Sequence, residues 1–188
     1  MSDMRLCERA KAGDQTAAAE LIDRHYERIY AYLRRLCSSD ADAEDLAQRT
    51  FLKVWSSLAS FRGHSAFSTW AHGIAHNVYV DWRRRRSVTD PQTDEWWATC
   101  VADGPSPFED AAERELAQRL YSLVEQLDDE ARQAIHLHYY QGLSLSETSE
   151  VLNVPTSTLK YRLREALNTL RSQTAEPKFI TGEHHERH

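Results

Sequence analysis

The 188 residues are 41% hydrophobic and 28% charged, with a formal net charge of −6, which suits one ordinary core or two small ones. No run approaches the roughly 20 apolar residues a membrane helix needs, and the polar start MSDMRLCERAKAGD lacks the apolar stretch of a secretory signal. Three cysteines with no CxxC spacing give neither a disulfide framework nor a zinc signature; the expected compartment is the reducing cytoplasm. Net acidity argues against a nucleic-acid binder until its distribution is read. From Ser87 to Glu113 there is no lysine or arginine but seven carboxylates, so the acid sits in one block between two more basic segments.

Along the chain almost everything outside that block predicts helix. From about Met4 to Cys37, Ala18, Leu21, Ile22, His25, Ile29, Tyr32, Leu33 and Leu36 recur at helical spacing, as two helices broken near Gly13-Asp14. Ser38-Ser39-Asp40 is a polar break. A third helix is expected from about Asp42 to Leu58, with Leu46, Thr50, Val54, Trp55 and Leu58 along one face, then a loop at Arg62-Gly63-His64-Ser65 and a fourth helix from about Ala66 to Arg85. The prolines, Gly104 and acidic residues between Ser87 and Phe108 mark a linker. Helical pattern resumes from Glu109 to Leu127, Asp128 suits an N-cap and Gly142 a stop. Two more helices flank Asn153-Val154-Pro155, and a polar tail follows from Gln173. The expected fold class is all-α: two small helical domains, residues 1–86 and 113–172, joined by a flexible acidic linker at 87–112, with a tail at 173–188.

Two stretches carry chemistry. In FRGHSAFSTWAHGIAHNVYVDWRRRR, the rings of Phe61, Phe67, Trp70, Tyr79 and Trp82 alternate with small and polar residues and run into Arg83 to Arg86. Rings beside guanidinium groups suit a strand whose bases have left the duplex, the bases stacking while arginines hold phosphates. Taken alone, aromatics at helical spacing more often form a core, and an arginine run more often a solvated helix end. The second stretch, Leu143 to Arg171, has the form of a helix-turn-helix. Ser144 or Ser146 can cap its first helix, Asn153 tolerates a left-handed turn, and Pro155 opens the second helix. There Leu159, Leu163, Leu167 and Leu170 form the inner stripe. Ser157, Lys160, Tyr161, Arg162 and Arg164 lie on other faces, where hydroxyl and cationic side chains fit groove reading and phosphate anchoring. An ordinary αα-hairpin is the weaker reading, because turn chemistry, helix lengths and the basic face agree.

The acidic start of the third helix, with Asp42, Glu44 and Asp45, is explained by the helix macrodipole alone. His72 and His76 stand four apart, a spacing that can hold zinc, but no HExxH pattern or matched carboxylate accompanies them, so neither metal nor cofactor is expected. There is no nucleophile elbow, P-loop or GxGxxG, so no catalytic residue is nominated.

Taken together, Asp42-Ala-Glu-Asp-Leu-Ala-Gln-Arg-Thr-Phe-Leu, Phe61-Arg-Gly, Phe67-Ser-Thr-Trp-Ala with Ile-Ala-His-Asn77, and the helix-turn-helix resemble bacterial RNA polymerase sigma factors of the extracytoplasmic-function group, over about Leu6 to Arg171. The resemblance implies a promoter-specificity subunit rather than an enzyme. Asp42, Asp45, Leu46, Gln48 and Phe51 would dock on core RNA polymerase. Phe61, Phe67, Trp70, Asn77, Arg83 and Arg84 would hold the minus-ten element, with a base flipped into the Phe61–Phe67 loop. Ser157, Thr158, Lys160, Tyr161, Arg162 and Arg164 would read the minus-thirty-five element. Implied partners are core polymerase, promoter DNA and an anti-sigma protein, often itself membrane-bound, with no membrane insertion by this chain. Thr148-Ser149 stands where the family carries an aliphatic residue and alanine, so looser packing is expected there. Competing readings are a free-standing helix-turn-helix regulator, which would bind DNA without polymerase, and a metal-dependent nucleic-acid enzyme.

Overall fold

The computed structural model describes residues 2–37, 39–86 and 119–175. Helix α1 (Asp3–Lys11) turns at Gly13, whose φ of 94° lies in the left-handed region. Asp14 then caps α2 (Gln15–Leu36), its carboxylate accepting from the Thr16 and Ala17 amides at 3.0 and 3.1 Å. Helix α3 (Asp40–Ser57) is capped by Ser39 Oγ, so most of the polar break is itself a helix start. A 3-10 turn (Leu58–Ser60) and a short loop lead into α4 (Phe67–Arg86).

The second half opens with a helical stretch, 119–125. Helix α5 (Asp129–Ile135) follows, with Asp128 accepting from the Ala131 amide at 2.9 Å. It runs into a π-helical turn (His136–Tyr140), closed by the Gln141 amide on the His136 carbonyl, and ends at Gly142, φ 71°. Helix α6 (Leu145–Leu152) begins in a capping box: Glu147 N–H donates to Ser144 Oγ, and Ser144 N–H donates to Glu147 Oε2. Asn153, at φ 52°, turns the chain into α7 (Thr156–Ala175). No strand occurs among the described residues. The expected 87–112 linker lies outside the described residues, as do most of the 109–127 helix and the tail beyond Ala175.

Two apolar clusters form. One gathers Leu6, Leu21, Ile29, Leu33, Leu46 and Val54 from α1–α3 with Ala71, Ala75 and Val78 of α4. The other joins Val124, Ala134 and Ile135 to the α7 stripe Leu159, Leu163 and Leu170, with Leu167 only partly buried. The two halves also touch: Leu137, Leu143 and Val151 of the second half belong to the first cluster, and α4 packs on α2, α3 and α6. The α3 stripe is narrower than expected. Leu46, Thr50, Val54 and Leu58 are inside, but Trp55 is 47% exposed, because a residue next to Val54 is rotated about 100° around the axis.

The Thr148-Ser149 pair departs from expectation in a mixed way. Thr148 is fully buried with no partner for its hydroxyl, which costs stability. Ser149 tightens the turn instead: its Oγ donates to the Val154 carbonyl at 2.6 Å and accepts from Thr156 Oγ1 at 3.2 Å.

Two outcomes follow for stability. Asn153→Val places a β-branched residue at positive φ and should cost about 1–2 kcal/mol in urea unfolding, whereas Asn153→Gly should be neutral or better. His72 is buried, its Nδ1–H donating to the Ser68 carbonyl at 2.7 Å, and burial pushes its pKa down to about 4. The unfolded chain takes up this proton below about pH 6.5 and the fold does not, so the contribution is complete above that pH and lost as pH falls towards 4. From pH 7 to pH 5 the loss from His72 should be roughly 2 kcal/mol. His72→Gln should remove that part of the slope; an unchanged slope would refute the assignment.

Candidate nucleic-acid interface

The aromatic residues ahead of and within α4 form one nest. Phe61 stands edge-on to Phe67 at 5.7 Å, and Trp70 lies 4.9 Å from Phe61 and 5.7 Å from Phe67. Phe61 and Phe67 are each only 4% exposed, so they build the floor; Trp70, half-buried, is the ring a base could reach. The nest is held from behind: the His25 ring lies 5.0 Å from Phe67, and Lys11 Nζ donates to the Phe61 carbonyl. The loop above it turns at Gly63, φ 73°, where a Cβ would lie 2.1 Å from Met4 Cε.

Asn77, two turns beyond Trp70, is exposed on that side of α4. The arginine run divides. Arg84 stays largely exposed, 3.4 Å from Asp81; Arg86 pairs with Asp42 at 2.6 Å and lies over the Trp82 ring. Arg83 turns the other way, into an ion pair with Asp129 of α5. It shares that side of α4 with Thr69, His76 and Tyr79, which all bond to the second half. Thr69 Oγ1 donates to Glu147 Oε1 at 2.9 Å, His76 Nδ1–H to Gln133 Oε1 at 2.7 Å, and Tyr79 OH to Asp129 Oδ1 at 2.9 Å. Burial lowers the His76 pKa, and burial beside Asp129 raises the Tyr79 phenol far above its ordinary range. His72 and His76 are thus taken by separate partners, and no group of three or more His, Cys, Asp or Glu among the described residues is placed to hold a metal ion.

On α7, Ser157, Lys160, Tyr161 and Arg164 are exposed and Thr158 is half-buried. The Arg164 guanidinium lies 5.4 Å from the centre of the Tyr161 ring, which fixes a flat cationic patch on the outer face. Arg162 instead reaches back to Glu130 at 2.5 Å and lines one cleft, about 770 Å³, with Arg83 and Arg84. No local pattern links the members of the two nucleic-acid sets that meet here.

The α3 residues separate by depth. Leu46 is fully buried, and Phe51, 7% exposed, stacks on Tyr26, so both fix the helix rather than offer a contact. Asp42 is engaged by Ser39 and Arg86, Asp45 pairs with Arg49 at 2.8 Å, and Gln48 is exposed. Leu52, 70% exposed, and Trp55 add an outward apolar pair the sequence reading missed; their four- and seven-residue spacing from Gln48 was the available signal. Cys7 and Cys37 are buried free thiols whose pKa is raised by burial, Cys37 to about 12, so both stay protonated and unreactive.

The geometry coincides with family and structural likeness. The Sigma-70 region 2 model matches residues 21–89 and the Sigma-70, region 4 model residues 117–170. The chain is 33% identical to the ECF RNA polymerase sigma factor SigW of Bacillus subtilis over 172 residues, covering 87% of this chain and 91% of that one. It is 29% identical to the RNA polymerase sigma-H factor of Pseudomonas aeruginosa, covering 88% and 92%. The solved structure of CnrH in complex with the cytosolic domain of CnrY superposes with a TM-score of 0.68 at 26% identity, covering 93% of this chain and 97% of that one. Among the described residues no helix is long and apolar enough to cross a membrane. An aromatic nest on α4, a helix-turn-helix with a cationic outer face and these matches over most of the length lead to one assignment: the chain belongs to the sigma-70 family, in its extracytoplasmic-function (ECF) group of RNA polymerase sigma factors.

Proposed function

We propose that this chain is a promoter-specificity subunit with no catalytic activity of its own, acting in the cytoplasm on core RNA polymerase. The observation that carries the reading is the pairing of the Phe61–Phe67–Trp70 nest with a cationic recognition helix in one family-matched chain. Residues 1–86 serve polymerase docking and the minus-ten element, 113–172 the minus-thirty-five element, and the acidic 87–112 segment joins them. Helix α3 meets polymerase through Asp45 and Gln48, with Leu52 and Trp55 beside them, and Leu46 and Phe51 hold the helix in place; Asp42 is available once Arg86 lets go. Trp70 and Asn77 face the melted strand, Phe61 and Phe67 shape the pocket, and Arg83 and Arg84 hold phosphates. On α7, Lys160, Arg162 and Arg164 anchor phosphates, while Ser157, Thr158 and Tyr161 face base edges. A protein partner holds the factor inactive; CnrH, the structural neighbour, is bound by the cytosolic domain of CnrY. No observation favours the free-standing regulator.

The test is run-off transcription with core polymerase on genomic fragments, with and without the protein; specific transcripts only on addition are expected. A gel shift by the protein alone with no transcripts would move the assignment to the regulator. Trp70→Ala removes a stacking ring worth about 1–3 kcal/mol and should slow promoter opening roughly tenfold or more, leaving polymerase binding intact. Asp45→Arg should do the reverse. Phe67→Ala is a poor probe of contact, since emptying so buried a site costs about 3–5 kcal/mol of fold stability. In salt titrations of promoter binding, Lys160→Ala should lower the slope by about one, as loss of a phosphate contact requires.

A further inference from the structure

Helix α3 has two exposed flanks. Going round its axis at about 100° per residue, Gln48 and Trp55 lie to one side of Asp45, and Arg49 and Lys53 to the other, towards α4, with Leu52 near the crest. The first flank is the one given to polymerase, and the second is left over. Between that second flank and α4 runs a groove of about 240 Å³, with buried Val78 and half-buried Trp82 on its α4 side. Its charged lining is Arg49, Lys53 and Arg85 against one carboxylate, Asp81. Arg49 pairs with Asp45 and Asp81 lies 3.4 Å from Arg84, so including these two neighbours leaves the same positive excess.

We infer that this groove seats a backbone phosphate of the DNA duplex just upstream of the minus-ten element, held by Lys53 in a field to which Arg49 and Arg85 contribute. The inference rests on the sigma-factor reading and adds α3 to the DNA path. Continuity with the strand-facing side of α4 supports it: Asp81 and Arg85 lie within about 80° of Asn77 around the helix axis. Arg85 stands about 22 Å beyond Trp70 along that axis, the length of about six base pairs. This end of α4 leads towards the half assigned to the minus-thirty-five element, which makes it the upstream end.

The chemistry selects a phosphate rather than a base. The Trp82 ring is already covered by the Arg86 guanidinium at 5.1 Å, which takes it out of use for stacking. Lysine supplies a compact charge on a flexible stem, which suits a phosphate oxygen and carries no sequence information. Helix α3 would then stand between polymerase and promoter, touching one with each flank.

The bonds at Lys53 are to its carbonyl, which accepts from Ser56 and Ser57 Oγ, so its exposed side chain can be changed without disturbing them. With core polymerase and full-length protein on a promoter found by the run-off test, Lys53→Ala should weaken promoter binding about fivefold and Lys53→Glu at least tenfold, while Lys53→Arg retains it. Lys53→Ala should also lower the slope of log affinity against log salt by about one. Replacing phosphates singly by methylphosphonate should find a linkage just upstream of the minus-ten element that matters to the wild type and not to Lys53→Ala. Unchanged affinity and salt slope for a folded Lys53→Glu would overturn the assignment. So would a loss of affinity for core polymerase without DNA, which would give the groove to an acidic segment of polymerase. A wild-type protein that forms no promoter complex with core polymerase would instead refute the sigma-factor reading, and this inference with it.

Discussion

The Asp129 carboxylate is the constraint around which the two halves are arranged. It is largely withdrawn from solvent, and a withdrawn charge is tolerated only with donors around it. Four converge: Tyr79 and Arg83 from α4, and Arg132 and Gln133 from its own helix at 3.0 and 2.7 Å. Its place in the first turn of α5 adds the helix macrodipole. Once Gln133 Nε2 is committed to Asp129, its Oε1 is left to accept from His76 and Tyr32, which extends the ordering into α2. One carboxylate thus dictates the facing of side chains on three helices.

The division of α4 between two tasks follows. Residues that are neighbours in sequence are separated by the helical turn into a side committed to the second half and a side turned away from it, with half-buried Trp70 and exposed Asn77 on the latter. The arginine run, uniform in sequence, becomes three different environments for Arg83, Arg84 and Arg86. Charge counting could not have distinguished them.

What was legible in the sequence was local. Asp14, Asp128, Ser144, Gly142 and Asn153 announced helix ends because capping and positive-φ chemistry depend on a few adjacent residues, and each lies where that chemistry places it. The α2 and α7 stripes were legible for the same reason, since a 3.6-residue period survives in one segment. The exposure of Trp55 was not, because a large ring next to a stripe looks like part of it. The docking of the halves was least legible: its partners, Tyr79 with Asp129 and Thr69 with Glu147, are polar and 50 and 78 residues apart, so no periodicity links them. The π-turn at His136–Tyr140 depends on how Leu137 and Leu143 are drawn into the other half's core, a tertiary demand absent from the local pattern.

Helix α1 lies outside the segment matched by the region 2 family, yet it is the backstop of the aromatic nest. Met4 fills the space beside Gly63, Lys11 holds the Phe61 carbonyl, and Asp3 meets His25, whose ring supports Phe67. The shape of the nest is therefore set by residues some fifty positions upstream of it. A shortened or fused N-terminus that unseats α1 would reshape the nest while leaving every one of its residues unchanged in sequence, and the defect would be mistaken for one in the nest itself.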